Sequence, residues 1–271
     1  MIVEVSPDVQ VGSNKPLLLI AGPCQIESRD HCLKIAEFLA TITRDLPVSF
    51  IFKSSFDKAN RTSLAGARGM GLSEGLKILA EVRDTFKVPV LTDVHSEEQA
   101  REVGAVIDVL QIPAFLSRQT DLLIAAGSTG RTVHIKKGQF LHPADMKFAA
   151  DKVASTGNSK ILLCERGTCF GYRDLVVDMR SLLIMKQTGF PVVYDATHSV
   201  QQMGGSGGSS GGSREYVQAL ARAAVATGVD GLFFECHEDP DHAPSDGPCM
   251  LPLTQVKGFL DSISRIREAL R

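Results

Sequence analysis

The chain has 271 residues, 44% of them apolar, and carries 29 basic against 31 acidic side chains for a formal charge of −2. A balance this even gives no general pull towards nucleic acid or an anionic membrane, so any anion site must be a local cluster. No apolar run approaches the roughly 18 residues of a membrane span, and residues 1–15 lack the charged-then-apolar layout of a signal peptide, which predicts a cytoplasmic protein.

Residues 2–5 and 9–11 alternate around Pro7-Asp8, predicting a small hairpin that covers one end of the domain. Eight short apolar runs follow, at residues 17–21, 50–53, 89–93, 106–111, 132–136, 160–164, 191–195 and 231–235. Helical patterns alternate with them at 30–44, 73–86, 97–104, 120–128, 143–154, 176–186, 214–227 and 253–270. The runs are β-branched and aliphatic with polar residues only at their C-terminal ends, as in strands buried on both faces. Eight strand–helix units in series predict a parallel sheet, and eight closes a (β/α)8 TIM barrel. The expectation is an α/β chain with one TIM-barrel catalytic domain over residues 1–271 and a short N-terminal β-hairpin.

One segment is low in complexity, Met203-Gly-Gly-Ser-Gly-Gly-Ser-Ser-Gly-Gly-Ser213. Such composition suits a flexible linker. It falls between the seventh strand and the seventh helix, inside one repeating unit. Gly204, Gly205, Gly207, Gly208, Gly211 and Gly212 are therefore read as a mobile loop over the barrel mouth rather than a domain linker.

Active-site groups of such barrels sit at the C-terminal ends of the strands. Those positions hold Cys24, Lys53, Lys58, Asn60, Arg61, Asp93, His95, Gln111, Arg118, Lys136, Lys137, Glu165, Arg166, Asp195, His198, Glu235 and Asp246. A single strand-end Lys or Arg is often no more than a salt-bridge partner. Five of them (Lys53, Lys58, Arg61, Lys136 and Arg166) around one mouth repel each other unless an anion satisfies them. A substrate with phosphate and carboxylate groups would do so. Cys24, His198, Glu235 and Asp246 form a second set from the first, seventh and eighth strands, neighbours in a closed barrel. Thiolate, imidazole and carboxylate together suit Zn2+, Fe2+ or Mn2+. The plainer reading of the same residues is a packed thiol and a hydrogen-bonded imidazole. His237 and His242 are alternative ligands, expected to be loop structure. Six cysteines without a CxxC pair predict reduced thiols, and Cys32, Cys164, Cys169 and Cys249 are read as structural, as are His31, His134 and His142.

The ordered motifs resemble the 3-deoxy-D-manno-octulosonate 8-phosphate synthases (2-dehydro-3-deoxyphosphooctonate aldolases) over nearly the whole chain. They include Ala21-Gly-Pro-Cys24, Phe52-Lys-Ser-Ser-Phe-Asp-Lys-Ala-Asn-Arg61, Thr92-Asp-Val-His95 and Gln111-Ile-Pro-Ala-Phe115. Lys136-Lys-Gly-Gln-Phe140, Glu165-Arg-Gly167, Phe170-Gly-Tyr172 and Asp195-Ala-Thr-His-Ser199 continue the series. The resemblance implies that Lys53, Lys58, Gln111, Lys136 and Arg166 hold phosphoenolpyruvate, with Asp93 and Phe115 in support. It implies that Asn60, Arg61 and Thr62 hold arabinose 5-phosphate. Thr62 stands where the family often has Ser. Arg118 would reach the sugar phosphate of an adjacent subunit in a homotetramer. Cys24, where metal-independent members have Asn, implies the metal-dependent class, whose other ligands fall on His198, Glu235 and Asp246.

The implied reaction condenses phosphoenolpyruvate, arabinose 5-phosphate and water, with C–O cleavage of phosphoenolpyruvate. A heptulosonate 7-phosphate synthase using erythrose 4-phosphate is the nearest rival. Those enzymes carry Lys-Pro-Arg-Thr where this chain has Lys58-Ala-Asn-Arg61. A non-catalytic phosphosugar-binding barrel is the alternative from another class.

Overall fold

A computed structural model describes residues 1–60, 66–169, 174–206 and 209–270, with the backbone alone at 203–206 and 209–210. Strands β1 (Ile2–Ser6) and β2 (Val9–Gly12) form the expected antiparallel hairpin, pairing Val3 with Val11. The barrel strands are β3 (Leu17–Gly22), β4 (Val48–Lys53), β5 (Val90–Asp93), β6 (Val109–Ile112), β7 (Thr132–Lys136) and β8 (Ile161–Glu165), all parallel. Two-residue strands β9 (Thr168–Cys169) and β10 (Leu175–Val176) interrupt the series before β11 (Val192–Asp195). The antiparallel ribbon β12 (Gln201–Ser206) and β13 (Ser209–Gly212) precedes β14 (Gly231–His237) and the short β15 (Leu251–Pro252). β14 pairs with both β11 and β3, which closes eight parallel strands into the (β/α)8 barrel.

Strand side chains alternate between the two faces, and the closed sheet turns that alternation into inside and outside. Leu17, Leu19 and Ala21 of β3 join the apolar layer beneath the helices. Leu18 and Ile20 join a separate inner cluster with Ile51, Leu91, Val109, Leu162, Val193 and Phe233. Val3, Val9 and Val11 of the hairpin belong to that inner cluster. The hairpin is thus an apolar plug under the barrel.

Eight helices supply the outer layer: α1 (Arg29–Thr43), α2 (Leu72–Phe86), α3 (Glu97–Val106), α4 (Thr120–Ser128), α5 (Met146–Ala154), α6 (Met179–Lys186), α7 (Val217–Ala226) and α8 (Leu253–Ala269). Their starts follow local chemistry. The Ser28 side chain accepts from His31 N at 3.2 Å, and Ser96 accepts from Gln99 N at 3.3 Å, each satisfying an N-terminal donor. Three helices start later than their sequence pattern predicts. Val176 is drawn into a pair with Thr168, so α6 begins at Met179. Single 3-10 turns at Pro143–Asp145 and Arg214–Tyr216 precede α5 and α7. No helix of the described residues is long and apolar enough to cross a membrane.

Gly22 shows how close adjacent strands approach at the mouth. A Cβ there would lie 2.0 Å from the Lys53 carbonyl oxygen. Gly22→Ala must push β3 and β4 apart. We expect it to cost about 2 kcal/mol or more, a fall of roughly 4–8 °C in Tm at this chain size. An unchanged melting curve would mean that the strand ends part freely.

Candidate active site

The alternation that buries the inner apolar cluster also sets its polar lid. Two residues beyond five of the inward apolar positions comes an inward polar one: Lys53 after Ile51, Asp93 after Leu91, Gln111 after Val109, Asp195 after Val193 and Glu235 after Phe233. All five are buried. With Lys58, Asn60, His95, Phe115, Lys136, Arg166, His198, Gln201 and Asp246 they line one cavity of about 470 Å³ at the C-terminal ends of the strands.

Charges in this cavity are paired rather than loose. Lys53 Nζ donates to Glu235 Oε1 at 2.6 Å and to the Cys24 carbonyl at 2.9 Å. Lys136 Nζ donates to Asp195 Oδ2 and sits 3.2 Å from the Phe233 ring centroid, over its negative face. Arg166 Nη2 donates to Gln201 Oε1 at 2.9 Å, while its Nη1 is buried without a partner among the described residues. Lys58 is held above the usual lysine range: burial works against its charge, but Cys24, Glu235, Asp93 and Asp246 outweigh it. Burial likewise opposes ionisation of the carboxyls. The hydrogen bond from His95 outweighs it at Asp93, the His198 and Lys136 charges at Asp195, and His198 at Asp246. All three stay well below the usual carboxylate range.

The four expected ligands meet on one side of this cavity. One donor atom each of Cys24, Glu235 and Asp246 lies within 4.8 Å of the others. Cys24 Sγ donates to Asp246 Oδ2 at 3.3 Å. His198 Nε2 lies 3.7 Å from Glu235 Oε2 and 3.8 Å from Asp246 Oδ2. On its other nitrogen, His198 faces Asp195 Oδ2 at 2.8 Å. That contact leaves Nε2 directed at the carboxylates, the usual support of a metal-binding imidazole. Glu235 Oε2 is buried with no hydrogen-bond donor among the described residues. A buried, unsatisfied carboxylate oxygen beside a thiol and an imidazole is a donor set for a divalent transition metal. Burial, then the Glu235 charge, pushes the Cys24 thiol well up, and a cation would favour its thiolate.

A second cluster, Glu27, His31 and His237, also has ligand-type atoms close together. Its own hydrogen bonds close it. His237 Nδ1 accepts from Asp239 N at 2.9 Å, so the ring proton sits on Nε2, which donates to Glu27 Oε1 at 2.9 Å. A metal on that Nε2 would leave neither ring nitrogen protonated. The exposed His242 pairs with Asp239.

A family model described as the DAHP synthetase I family matches residues 1–271. The chain belongs to this family. It is similar to the 2-dehydro-3-deoxyphosphooctonate aldolase of Rickettsia bellii (strain OSU 85-389), 58% identical over 261 residues, 96% of this chain and 95% of that one. The protein of the same name from Rhizobium meliloti (strain 1021) is 57% identical over 263 residues, 97% and 94% of the two chains. That from Granulibacter bethesdensis (strain ATCC BAA-1260 / CGDNIH1) is 58% identical over 253 residues, 93% and 90%.

In this DAHP synthetase I chain, the residues expected at the mouth divide three ways. Cys24, Lys53, Lys58, Asn60, Asp93, Gln111, Phe115, Lys136, Arg166, His198, Glu235 and Asp246 gather in or beside the cavity. Arg118 is exposed and does not line it. Arg61, Thr62, Gly207, Gly208 and the Phe170-Gly-Tyr172 motif lie outside the described residues. Gly204 and Gly205 belong to β12, and Gly211 and Gly212 to β13. Gly212 is needed for packing, since a Cβ there would lie 2.0 Å from Cys249 Sγ.

Sequence reasoning missed Gln201, the first residue of β12. It accepts from Arg166 and donates through Nε2 to Asp246 Oδ1 at 2.8 Å, joining a buried guanidinium to a carboxylate of the Cys24–Glu235–Asp246 cluster. Its place three residues after His198 was the available signal. Asp195, which sequence left without a role, serves likewise between Lys136 and His198.

His95 offers a pH test. Burial lowers its pKa, but the hydrogen bond and charge of Asp93, then Gln99, raise it above the ordinary value. A group with a raised folded pKa contributes its full stability below its unfolded value of about 6.5 and loses it as pH rises through the folded value. The stability lead of wild type over His95→Gln in urea unfolding should therefore shrink as pH rises from about 6.5 through the raised folded pKa. A lead that grows with pH would overturn the Asp93–His95 pairing.

Proposed function

We propose that the chain condenses phosphoenolpyruvate with D-arabinose 5-phosphate and water to give 3-deoxy-D-manno-octulosonate 8-phosphate and inorganic phosphate. The observation that carries this reading is the single cavity in which Lys53, Lys58, Lys136 and Arg166 converge beside Cys24, His198, Glu235 and Asp246. Relatives above half identity along nearly the full chain bear the octulosonate aldolase name. The whole of residues 1–271 acts as one catalytic unit in this reading.

Lys58, Lys136 and Arg166 bind the carboxylate and phosphate of phosphoenolpyruvate, and the unpartnered Nη1 of Arg166 supplies a donor with no protein competitor among the described residues. Lys53 stays on Glu235 and holds the floor of the site. Asn60, Arg61 and Thr62 orient the aldose, with Arg61 on its phosphate. The enol carbon attacks the aldehyde carbon and a C–C bond forms. Positive charge develops at the carbon bearing the phosphate ester, water adds there, and the C–O bond to phosphate breaks. Charge compensation and alignment within a buried site supply the main rate advantage.

Cys24, His198, Glu235 and Asp246 would hold one Fe2+, Zn2+ or Mn2+, which when bound supplies Lewis-acid orientation of the aldose or activation of water. Arg118 stands outside its own cavity, which supports a contact with the sugar phosphate of an adjacent subunit in a homotetramer. The proposed compartment is the cytoplasm.

Phosphate release is the direct test. We expect release from phosphoenolpyruvate plus arabinose 5-phosphate, loss of it after chelation, and return with divalent transition metal. Cys24→Asn should lower the bound metal sharply by elemental analysis. Unchanged metal content would remove Cys24 from the ligand set, and faster turnover with erythrose 4-phosphate would move the chain to the heptulosonate reaction. Arg61→Ala should raise KM for the aldose by at least about 10-fold more than KM for phosphoenolpyruvate, since a charge-assisted phosphate contact contributes about 1.5–3 kcal/mol. Equal losses for the two substrates would undo that assignment.

A further inference from the structure

His134 is fully buried in the barrel interior, directly before Ile135 and Lys136 at the end of β7. In the β6–β7 register it stands beside Gln111, and its Nδ1 lies 3.0 Å from Gln111 Oε1. Its Nε2 is buried with no hydrogen-bond partner among the described residues. The ring runs nearly parallel to Phe233, at 15° and 6.3 Å between centroids.

These contacts select one tautomer. Burial, with the Lys136 charge beside it, lowers the His134 pKa well below the ordinary value, so the imidazole is neutral with one N–H. In one arrangement Nδ1–H donates to Gln111 Oε1 and Nε2 keeps a bare lone pair. In the other, the Gln111 amide is turned over and donates to Nδ1, and the ring proton sits on Nε2 with no acceptor. A buried N–H without an acceptor is the rarer and costlier orphan. The first arrangement therefore prevails. It matters for the cavity because the two arrangements present opposite faces of the Gln111 amide. Gln111 lines the cavity, so the amide group not held by His134 is the one left for a ligand: an NH2 donor in the first arrangement, a carbonyl oxygen in the second.

We propose that His134 is a positioning residue whose Nδ1–H holds Gln111 Oε1, so that the Gln111 amide NH2 is presented to the carboxylate or phosphate of phosphoenolpyruvate. The inference rests on the reading of this cavity as the phosphoenolpyruvate site. A neutral imidazole performs the task without adding another cation next to Lys136. The reversed amide would direct an acceptor at an anion, so His134 decides the sign of the Gln111 contact.

Kinetics of His134→Leu, His134→Asn, Gln111→Leu and the double variant His134→Leu/Gln111→Leu test it. His134→Leu should raise KM for phosphoenolpyruvate about 10-fold, with kcat within about threefold and KM for the aldose unchanged. His134→Asn, whose amide N–H reaches the same oxygen, should recover most of the loss. The double variant should be no worse than Gln111→Leu alone, because both remove the same contact. An unchanged KM in His134→Leu, or losses that multiply in the double variant, would overturn the proposal. Nitrogen-15 NMR of the wild-type imidazole gives a readout without turnover and without a variant that must fold. It should report the proton on Nδ1, and a proton on Nε2 would overturn the proposal whatever the kinetics. A wild type with the Nδ1 proton but no turnover of phosphoenolpyruvate would overturn the anion contact through the substrate reading, leaving the His134–Gln111 hydrogen bond in place.

Discussion

The Lys53–Glu235 ion pair, 1% and 0% exposed, is the constraint on which the rest of the site depends. The pair joins β4 to β14 across the intervening β3, so it exists only once β14 has docked beside β3. Neither charge tolerates burial alone, because an isolated buried ion loses far more hydration than the protein returns. Closing the barrel therefore brings the two together, and the same donor reaches the Cys24 carbonyl at the end of β3. The pair uses Glu235 Oε1 and leaves Oε2 turned to His198. A carboxylate shared in this way is held rigidly by its ammonium partner while one oxygen stays available to a cation.

The same arrangement recurs around the mouth. Asp195 lies between Lys136 and His198, and Gln201 lies between Arg166 and Asp246. Glu235, His198 and Asp246 are thus each tied, directly or through one side chain, to Lys53, Lys136 or Arg166. Opposite charges packed so densely hold the three aspartates ionised despite their burial. Pairing this dense leaves the side chains of the site little conformational freedom to lose on binding. The hairpin plug lies below: Val3, Val9 and Val11 join the inner apolar cluster, away from the charged groups at the C-terminal ends of the strands.

Most of the barrel was legible because its signals are local. Eight apolar runs with polar ends, spaced by amphipathic stretches, have few other solutions. Misplaced boundaries had tertiary causes. Val176 continues a helical pattern, yet a strand pair with Thr168 claims it. Val106 was read as strand, but it ends α3, and β6 starts at Val109. The Gly/Ser stretch after the seventh strand reads as formless chain by composition. Its described backbone is a ribbon whose Gly212 leaves room for Cys249, a contact between residues far apart in sequence.

By itself the sequence determined the fold class, the end of the barrel that carries chemistry and the identity of nearly every group there. Strand periodicity is a property of consecutive residues, and it assigns Lys53, Gln111, Asp195 and Glu235 to one face without knowledge of their neighbours. Only the tertiary structure decided how those groups are paired. Lys53 could have reached any of several carboxylates. Nothing local tells His198 which nitrogen to turn inward, makes Gln201 a bridge, or sets the proton of His134 on Nδ1. Those choices depend on distances of a few ångströms between strands that the chain separates by many residues, and on burial that raises the cost of every unpaired polar atom.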